Sequence, residues 1–159
     1  MIKLHKRRED GISYHEAWLT ESVVFEHWGE VGQRGSVKQH GVQPGERETD
    51  ALERILASAR AAGFVEIDED DLRVLSIEYE TDDRRTAGDL EKRHALEARM
   101  NETLGWTGLG RCDGGSIGSE TMEVRCLVVD AEIARGVIEF DLSNTEFSDY
   151  IRMYEESED

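Results

Sequence analysis

The stretch that decides the fold of the first half of the chain is Phe25-Glu26-His27-Trp28-Gly29-Glu30-Val31-Gly32-Gln33-Arg34-Gly35-Ser36. It starts with aromatic and polar residues in a pattern that favours a β-strand, and it ends in a glycine-rich turn. Similar short segments lie on both sides of it, separated by turn residues. The pattern predicts an antiparallel meander with strands over 1–6, 13–20, 23–28 and 36–42.

A helix is predicted after this meander, because apolar residues recur at helical spacing over 52–62. Thr49 and Asp50 are its candidate N-caps, and Gly63 is suited to end it. The segment 64–67 is predicted to return to the sheet as a last short strand. The first half is therefore predicted to be a sheet with one helix.

An acidic run divides the chain, since five of the six residues over 66–71 are Asp or Glu. A run of like charges stays solvated, so we predict two domains, 1–68 and 72–159. The first domain holds 9 basic and 12 acidic side chains, whereas residues 69–159 hold 10 and 24. Most of the negative charge is therefore in the second half.

The second domain has strand and helix patterns in the order β-α-β-β-α-β. This order predicts a ferredoxin-like fold, an antiparallel sheet with two helices on one face, followed by an acidic tail. The fold class is thus α+β. Thr86 or Asp89 is expected to cap the first helix, and Asp130 the second. The predicted elements include strands over 72–80, 122–129 and 148–154, of which 122–129 has the clearest pattern, and helices over 89–104 and from Ala131.

The composition is that of an acidic globular protein. The 159 residues have a formal charge of -17, and 38% of them are hydrophobic. The longest apolar run, around 126–129, is too short to span a membrane, and the first residues are charged where a signal peptide would be apolar. Two cysteines do not make a disulfide framework. We therefore expect a cytoplasmic chain rather than a membrane or secreted one.

The opening stretch also carries a spaced signature, a Trp-Gly pair at a strand end with glycines three and six positions after the first. With the helix that follows, it resembles the WGR domain over about residues 1–68. The resemblance implies a sheet-plus-helix fold and, as in poly(ADP-ribose) polymerases, contact with DNA ends and neighbouring domains. Glu30 stands where the family has arginine, so an anion replaces a cation there. The signature residues are Trp28, Gly29, Glu30, Gly32 and Gly35.

A second hypothesis for the first half of the chain is that it carries a nucleic-acid-binding face. DNA affinity depends on cations that displace counterions from phosphate, and Trp18 or Trp28 could stack on an exposed base. The alternative is that Trp28 is a core or half-buried packing residue and the cations are solvated. Any DNA binding is predicted to be weak, because the net charge and Glu30 oppose it. The candidate face comprises Lys3, Lys6, Arg7, Arg8, Trp18, Arg34 and Lys38.

Four histidines fall on the predicted strands of the first half. None of them has a second histidine or a cysteine at the close spacing typical of metal ligands. We predict ordinary strand histidines, with neither a metal site nor a cofactor. They are His5, His15, His27 and His40.

Six glycines lie over 105–118. The segment lacks the Gly-Lys-Ser/Thr ending of a phosphate loop and follows a helix rather than a strand, so we predict a β-hairpin with a wide glycine-rich tip. If that hairpin is centred near Ser119, Cys112 and Cys126 are cross-strand neighbours, and we expect reduced thiols. The alternative is a ligand-binding loop formed by Asp113, Gly114, Gly115 and Ser116.

Both sides of the strand over 122–129 carry apolar side chains. One side is apolar throughout, and Leu127 and Val129 lie on the other side together with polar residues. We expect that side to be covered by the first half or by a second copy of the chain, or to lie under a loop. Leu127 and Val129 are therefore the candidate partner face.

The carboxylates include no pair in a distinctive apolar setting, and the sequence has no Gly-x-Ser-x-Gly motif, so we predict a non-enzyme. The favoured function is a binding or regulatory module that acts through a protein partner or self-association. Weak DNA binding is the second candidate, and a small-ligand sensor using the glycine-rich loop is the third.

Overall fold

Two four-stranded antiparallel sheets and three α-helices form the described part of the chain, which is residues 1–81 and 87–157 of a computed structural model. This content confirms the α+β class. The chain divides into two compact units, Met1–Glu69 and Asp70–Asp159, which we call unit 1 and unit 2. Among the described residues, none of the helices is both long and apolar enough to cross a membrane.

The sheet of unit 1 is a meander, as predicted, in which each strand pairs with the next along the chain. The pairing puts His15 opposite Trp28, and Glu16 opposite His27. Because successive side chains of a strand point to opposite faces, these two pairs lie on opposite sides of the sheet. The strands are β1 (Ile2–Arg8), β2 (Gly11–Thr20), β3 (Val23–Glu30) and β4 (Ser36–Gly41).

Helix α1, Glu48–Ala61, covers one side of this sheet, which we call the helix side. The helix begins after Arg47, earlier than predicted, and the side chain of this N-cap residue makes no capping hydrogen bond with the described residues. Thr49 and Asp50 therefore lie inside the first turn, and their prediction as N-caps is wrong. An acidic residue in that turn still favours the helix through its dipole. The core consists of Leu4, Ala17, Val24, Ala51, Leu52, Leu56 and Ala59.

Gly63 follows the end of α1, as predicted, with a left-handed φ of +94° that glycine adopts most readily. The segment after it is not the predicted strand. Its pairing in the described chain is a single bridge, in which His5 and Val65 exchange backbone hydrogen bonds of 2.8 and 3.0 Å.

Unit 2 follows the predicted element order, and its sheet has the strand order β6-β7-β5-β8 with all neighbours antiparallel. Helices α2 and α3 contact each other and pack on this sheet. The elements are a 3₁₀ turn at Glu69–Asp71, then β5 (Arg73–Glu80), α2 (Ala87–Trp106), β6 (Gly110–Ile117), β7 (Thr121–Val128), α3 (Ala131–Leu142) and β8 (Arg152–Glu155).

The helix caps of unit 2 are partly as predicted. The Asp130 carboxylate accepts a hydrogen bond from the Ile133 N–H at 2.9 Å, which confirms it as the N-cap of α3. Asp89 lies inside the first turn of α2 rather than before it. The other candidate cap, Thr86, lies outside the described residues.

The predicted acidic tail begins inside the sheet. Glu155 is the last residue of β8 and pairs with Leu75. The Glu156 carboxylate accepts hydrogen bonds from Ser76 at 2.6 Å and from Arg125 at 3.1 Å. The exposed Glu155 carboxylate pairs with Arg73 at 3.0 Å, so both carboxylates have specific partners.

Candidate functional site

The signature of unit 1 forms a turn that folds back over the end of β3. The Val31 N–H donates to the Ile12 carbonyl at 2.8 Å, which anchors the start of the turn. A Cβ on Gly35 would lie 2.0 Å from the Trp28 carbonyl oxygen, and one on Gly29 would lie 2.8 Å from the Gly35 Cα. Gly35 also has a φ of +64°. The two backbone segments pass so closely that only glycine fits at these two positions.

A buried polar network ties this turn to the sheet. His27 is fully buried; its Nδ1 lies 2.7 Å from a Glu16 oxygen and its Nε2 lies 2.5 Å from the Arg34 carbonyl oxygen. Both of these partners are hydrogen-bond acceptors. The Tyr14 hydroxyl donates to the Gln33 carbonyl at 2.7 Å. Burial, followed by the nearby Glu16 charge, raises the pKa of Tyr14, which keeps this hydroxyl a donor.

A second cluster lies on the helix side of the same strands. The Glu26 carboxylate bridges two histidines, with His15 Nε2 at 2.7 Å and His40 Nε2 at 2.6 Å. Burial acts to raise the pKa of Glu26, but the hydrogen bonds and charges of both histidines outweigh it, so the pKa is lowered. The Trp28 ring stacks on the His15 ring with centroids 5.8 Å apart.

These clusters show what the sequence reasoning missed about the strand histidines. Among the described residues, no three His, Cys, Asp or Glu side chains are arranged to hold a metal. The missed feature is the carboxylate partner of each cluster. Pairing the strands outward from the turn at 21–22 sets Glu16 opposite His27, so this pair could have been found from the hairpin register.

The cations of the candidate nucleic-acid face are divided between the two sides of the sheet. Alternation along β1 puts Lys6 and Arg8 on the helix side, and Lys3 and Arg7 on the opposite side. The structure therefore does not bring the seven residues of that face together on one surface.

Several residues of that face also have partners within unit 1. Lys6 Nζ donates to the Ala62 carbonyl at 2.6 Å, next to the end of α1. Lys3 Nζ lies 3.7 Å from a carboxylate oxygen of Glu16. The Trp18 ring stacks on Phe25 with centroids 5.6 Å apart. Of the remaining residues, Arg34 is exposed in the signature turn and Lys38 is exposed on β4.

Glu30, the anion in the signature, is paired with a cation of the same sheet. Its Oε1 accepts hydrogen bonds from the Arg8 guanidinium and, at 3.0 Å, from the Ser13 hydroxyl. The bond to Glu30 is the main cause that raises the pKa of Arg8. The pair neutralises one candidate phosphate-binding cation, so Glu30 and Arg8 together present little net charge at this corner.

The glycine-rich segment of unit 2 is not the predicted wide hairpin tip. Gly105 lies in the last turn of α2, and the tight turn between β6 and β7 is closed by the Gly118 N–H, which donates to the Thr121 carbonyl at 2.7 Å. The candidate ligand loop lies within β6, where the register shifts between Cys112 and Gly115. Its exposed residues are Asp113, Gly114, Gly115 and Ser116.

The candidate partner face is buried within one chain. Leu127 is 8% exposed and Val129 is 4% exposed. The expectation that this side is covered is correct, but these two residues do not offer an exposed surface to a second copy. Further along β7, the same side is polar: Arg125 pairs with Glu156, and the Tyr154 hydroxyl donates to Glu123 at 2.7 Å.

In comparisons with known proteins, no protein-family model, curated protein or solved structure matches the chain.

Proposed function

We propose that the chain is a non-enzymatic binding module whose unit 1 is of WGR type and whose unit 2 is ferredoxin-like. The steric need for glycine at positions 29 and 35, beside Trp28, supports the WGR assignment, because it gives the signature spacing a physical cause. The strand order β6-β7-β5-β8, with two helices that pack together, supports the ferredoxin-like assignment.

The module acts by docking a protein partner along β4, and the observation that carries this proposal is the open edge of that strand. In the described chain, β4 is the last strand of its sheet and pairs only with β3. Its residues 36–39 are exposed, and Val37, a large apolar side chain, is 45% exposed. Such an edge accepts an extended segment by backbone hydrogen bonding, with side-chain contacts adding specificity.

The net charge favours a basic partner over a second copy of the chain. Two chains of charge -17 repel each other, whereas a basic protein is attracted over a distance of about one Debye length, roughly 8 Å at physiological salt. Complementary charge raises the rate of encounter, and contacts along β4 then hold the complex.

Weak DNA binding is the second candidate function. Lys6, Lys38 and Trp28 lie on the helix side of the sheet. There the cations could contact the phosphates at the end of a DNA strand, and the Trp28 ring could stack on a base. The Arg8–Glu30 pair and the total charge limit this binding to low salt.

Photocrosslinking separates these candidates. The full chain carries p-benzoylphenylalanine at Val37 or, as the matched control, at Val65, a valine of the same unit that is 60% exposed. In extract of the source cells, we expect position 37 to crosslink to one basic protein, in competition with unmodified chain but not with the Val37→Asp chain. Equal labelling from both positions contradicts docking at β4. Binding of a blunt DNA duplex that persists at 0.2 M salt, measured by fluorescence anisotropy, favours the second candidate.

A further inference from the structure

The two cysteines of unit 2 face each other across neighbouring strands. Cys112 of β6 is directly opposite Cys126 of β7, which confirms the register expected from a turn near Ser119. Both are free thiols. Directly opposite residues of an antiparallel pair have side chains on the same face of the sheet.

The hydrogen bonding shows which type of cross-strand pair this is. The Cys112 N–H donates to the Asn101 side chain at 2.9 Å, towards α2, and therefore not to β7. The Val129 N–H donates to the Leu109 carbonyl at 2.9 Å. Counting alternate positions from that bond also makes Cys112 and Cys126 a pair without mutual backbone hydrogen bonds. In such pairs the Cα atoms lie about 4.5 Å apart, within the range of about 4.4 to 6.8 Å that disulfides span.

The two thiols differ in access. Cys126 is fully buried, whereas Cys112 is partly exposed on the edge strand. Next to Cys112 the ladder is interrupted between Cys112 and Gly115, and Gly114 has a left-handed φ of +91°. An irregular edge opens more easily than a regular one. An oxidant in solution therefore meets Cys112 first.

We propose that Cys112 and Cys126 form a reversible intramolecular disulfide, with a small disulfide such as oxidised glutathione as the oxidant. The Cys112 thiolate attacks one sulfur of the oxidant, which forms a mixed disulfide and releases one glutathione thiolate. The Cys126 thiolate then attacks the Cys112 sulfur and releases the second. The cysteines lose two electrons and two protons, and glutathione disulfide gains both to give two glutathione thiols.

Both thiols are in surroundings that make the exchange slow and the product durable. Burial raises the pKa of Cys126 to about 12. Burial, with Glu97 and Asp113 nearby, also raises the pKa of Cys112. A protonated thiol is a poor nucleophile, so this pair acts as a slow redox latch. Once formed, the bond closes the β6–β7 hairpin and holds the irregular segment 113–116 against the sheet.

The test compares the native and the denatured chain in glutathione redox buffers. The chain is equilibrated at a series of glutathione ratios, with and without 8 M urea. It is then quenched in acid and analysed by mass spectrometry for a loss of two hydrogens. If the native register favours the bond, the native chain should be oxidised at a ratio at least about tenfold more reducing than the denatured chain. The proposal is overturned if the native chain becomes oxidised only at a glutathione ratio equal to, or more oxidising than, the ratio that oxidises the denatured chain.

Two variants identify the order of attack. Cys126→Ala should stop at a mixed disulfide on Cys112, whereas Cys112→Ala should leave Cys126 as a thiol in the native chain. The melting midpoint of the oxidised wild-type chain should exceed that of the reduced chain by about 5 to 10 °C. Disulfide-linked dimers, or mixed disulfides without an intramolecular bond in the wild-type chain, would contradict the assignment.

Discussion

Replacing Gly35 by alanine tests whether the signature spacing has the steric cause given above. Gly35 has a φ of +64°, and an added Cβ would meet the Trp28 carbonyl oxygen at 2.0 Å. An alanine in the left-handed region costs about 1 to 2 kcal/mol. The contact with a backbone atom cannot be relieved by a rotamer change and adds about 1 to 3 kcal/mol. We therefore expect Gly35→Ala to destabilise unit 1 by about 2 to 5 kcal/mol.

The chain offers a matched control for the backbone cost alone. Gly45 has a similar φ of +75°, but its Cβ would meet none of the described residues within 4 Å. Gly45→Ala should thus lower the free energy of unfolding only by the cost of placing alanine in the left-handed region, about 1 to 2 kcal/mol. The assay is native-state amide exchange in β3, which reports the free energy of opening of unit 1. If Gly35→Ala is no less stable than Gly45→Ala, the close passage over Trp28 does not explain the glycine.

Three further predictions concern the polar groups of unit 1. Glu30→Arg frees Arg8 and adds a second cation, so affinity for a blunt DNA duplex at low salt should rise and the salt slope should steepen by about two phosphate contacts; unchanged anisotropy would place residue 30 away from any DNA site. Tyr14→Phe leaves the Gln33 carbonyl without its donor, and the urea midpoint should reveal a loss of about 1 to 3 kcal/mol. The folded state lowers the pKa of Glu26 from 4.5. Ionised Glu26 therefore adds to the free energy of unfolding above pH 4.5, and this stabilisation is lost as the pH falls through the lower pKa of the folded state. Urea unfolding between pH 5 and 2 should therefore depend less steeply on pH in Glu26→Gln, and identical profiles would show that this carboxyl does not contribute.

The order of strands and helices could be predicted from the sequence because it depends on local periodicity. Short segments of aromatic, β-branched and polar residues between turn residues predicted the four strands of unit 1, and a period near 3.6 predicted α1. The facing cysteines followed from the position of a single turn, since an antiparallel register is set once the hairpin centre is known. The ends of elements were less accurate, as at Thr49, because tertiary contacts extend or shorten a helix at little cost.

The contacts that define the candidate site depended on the tertiary structure. Arg8 and Glu30 are 22 residues apart, so no local pattern predicts their pairing. They come together only when β1 and β3 both pair with β2 in the folded sheet. In the same way, the sequence predicted that Leu127 is covered but left open what covers it, and only the folded structure showed that it is buried within one chain. The sequence by itself determined which segments become strands and helices, since propensity and periodicity act between near neighbours. Burial and ion pairing are interactions between distant segments, so only the folded chain decided them.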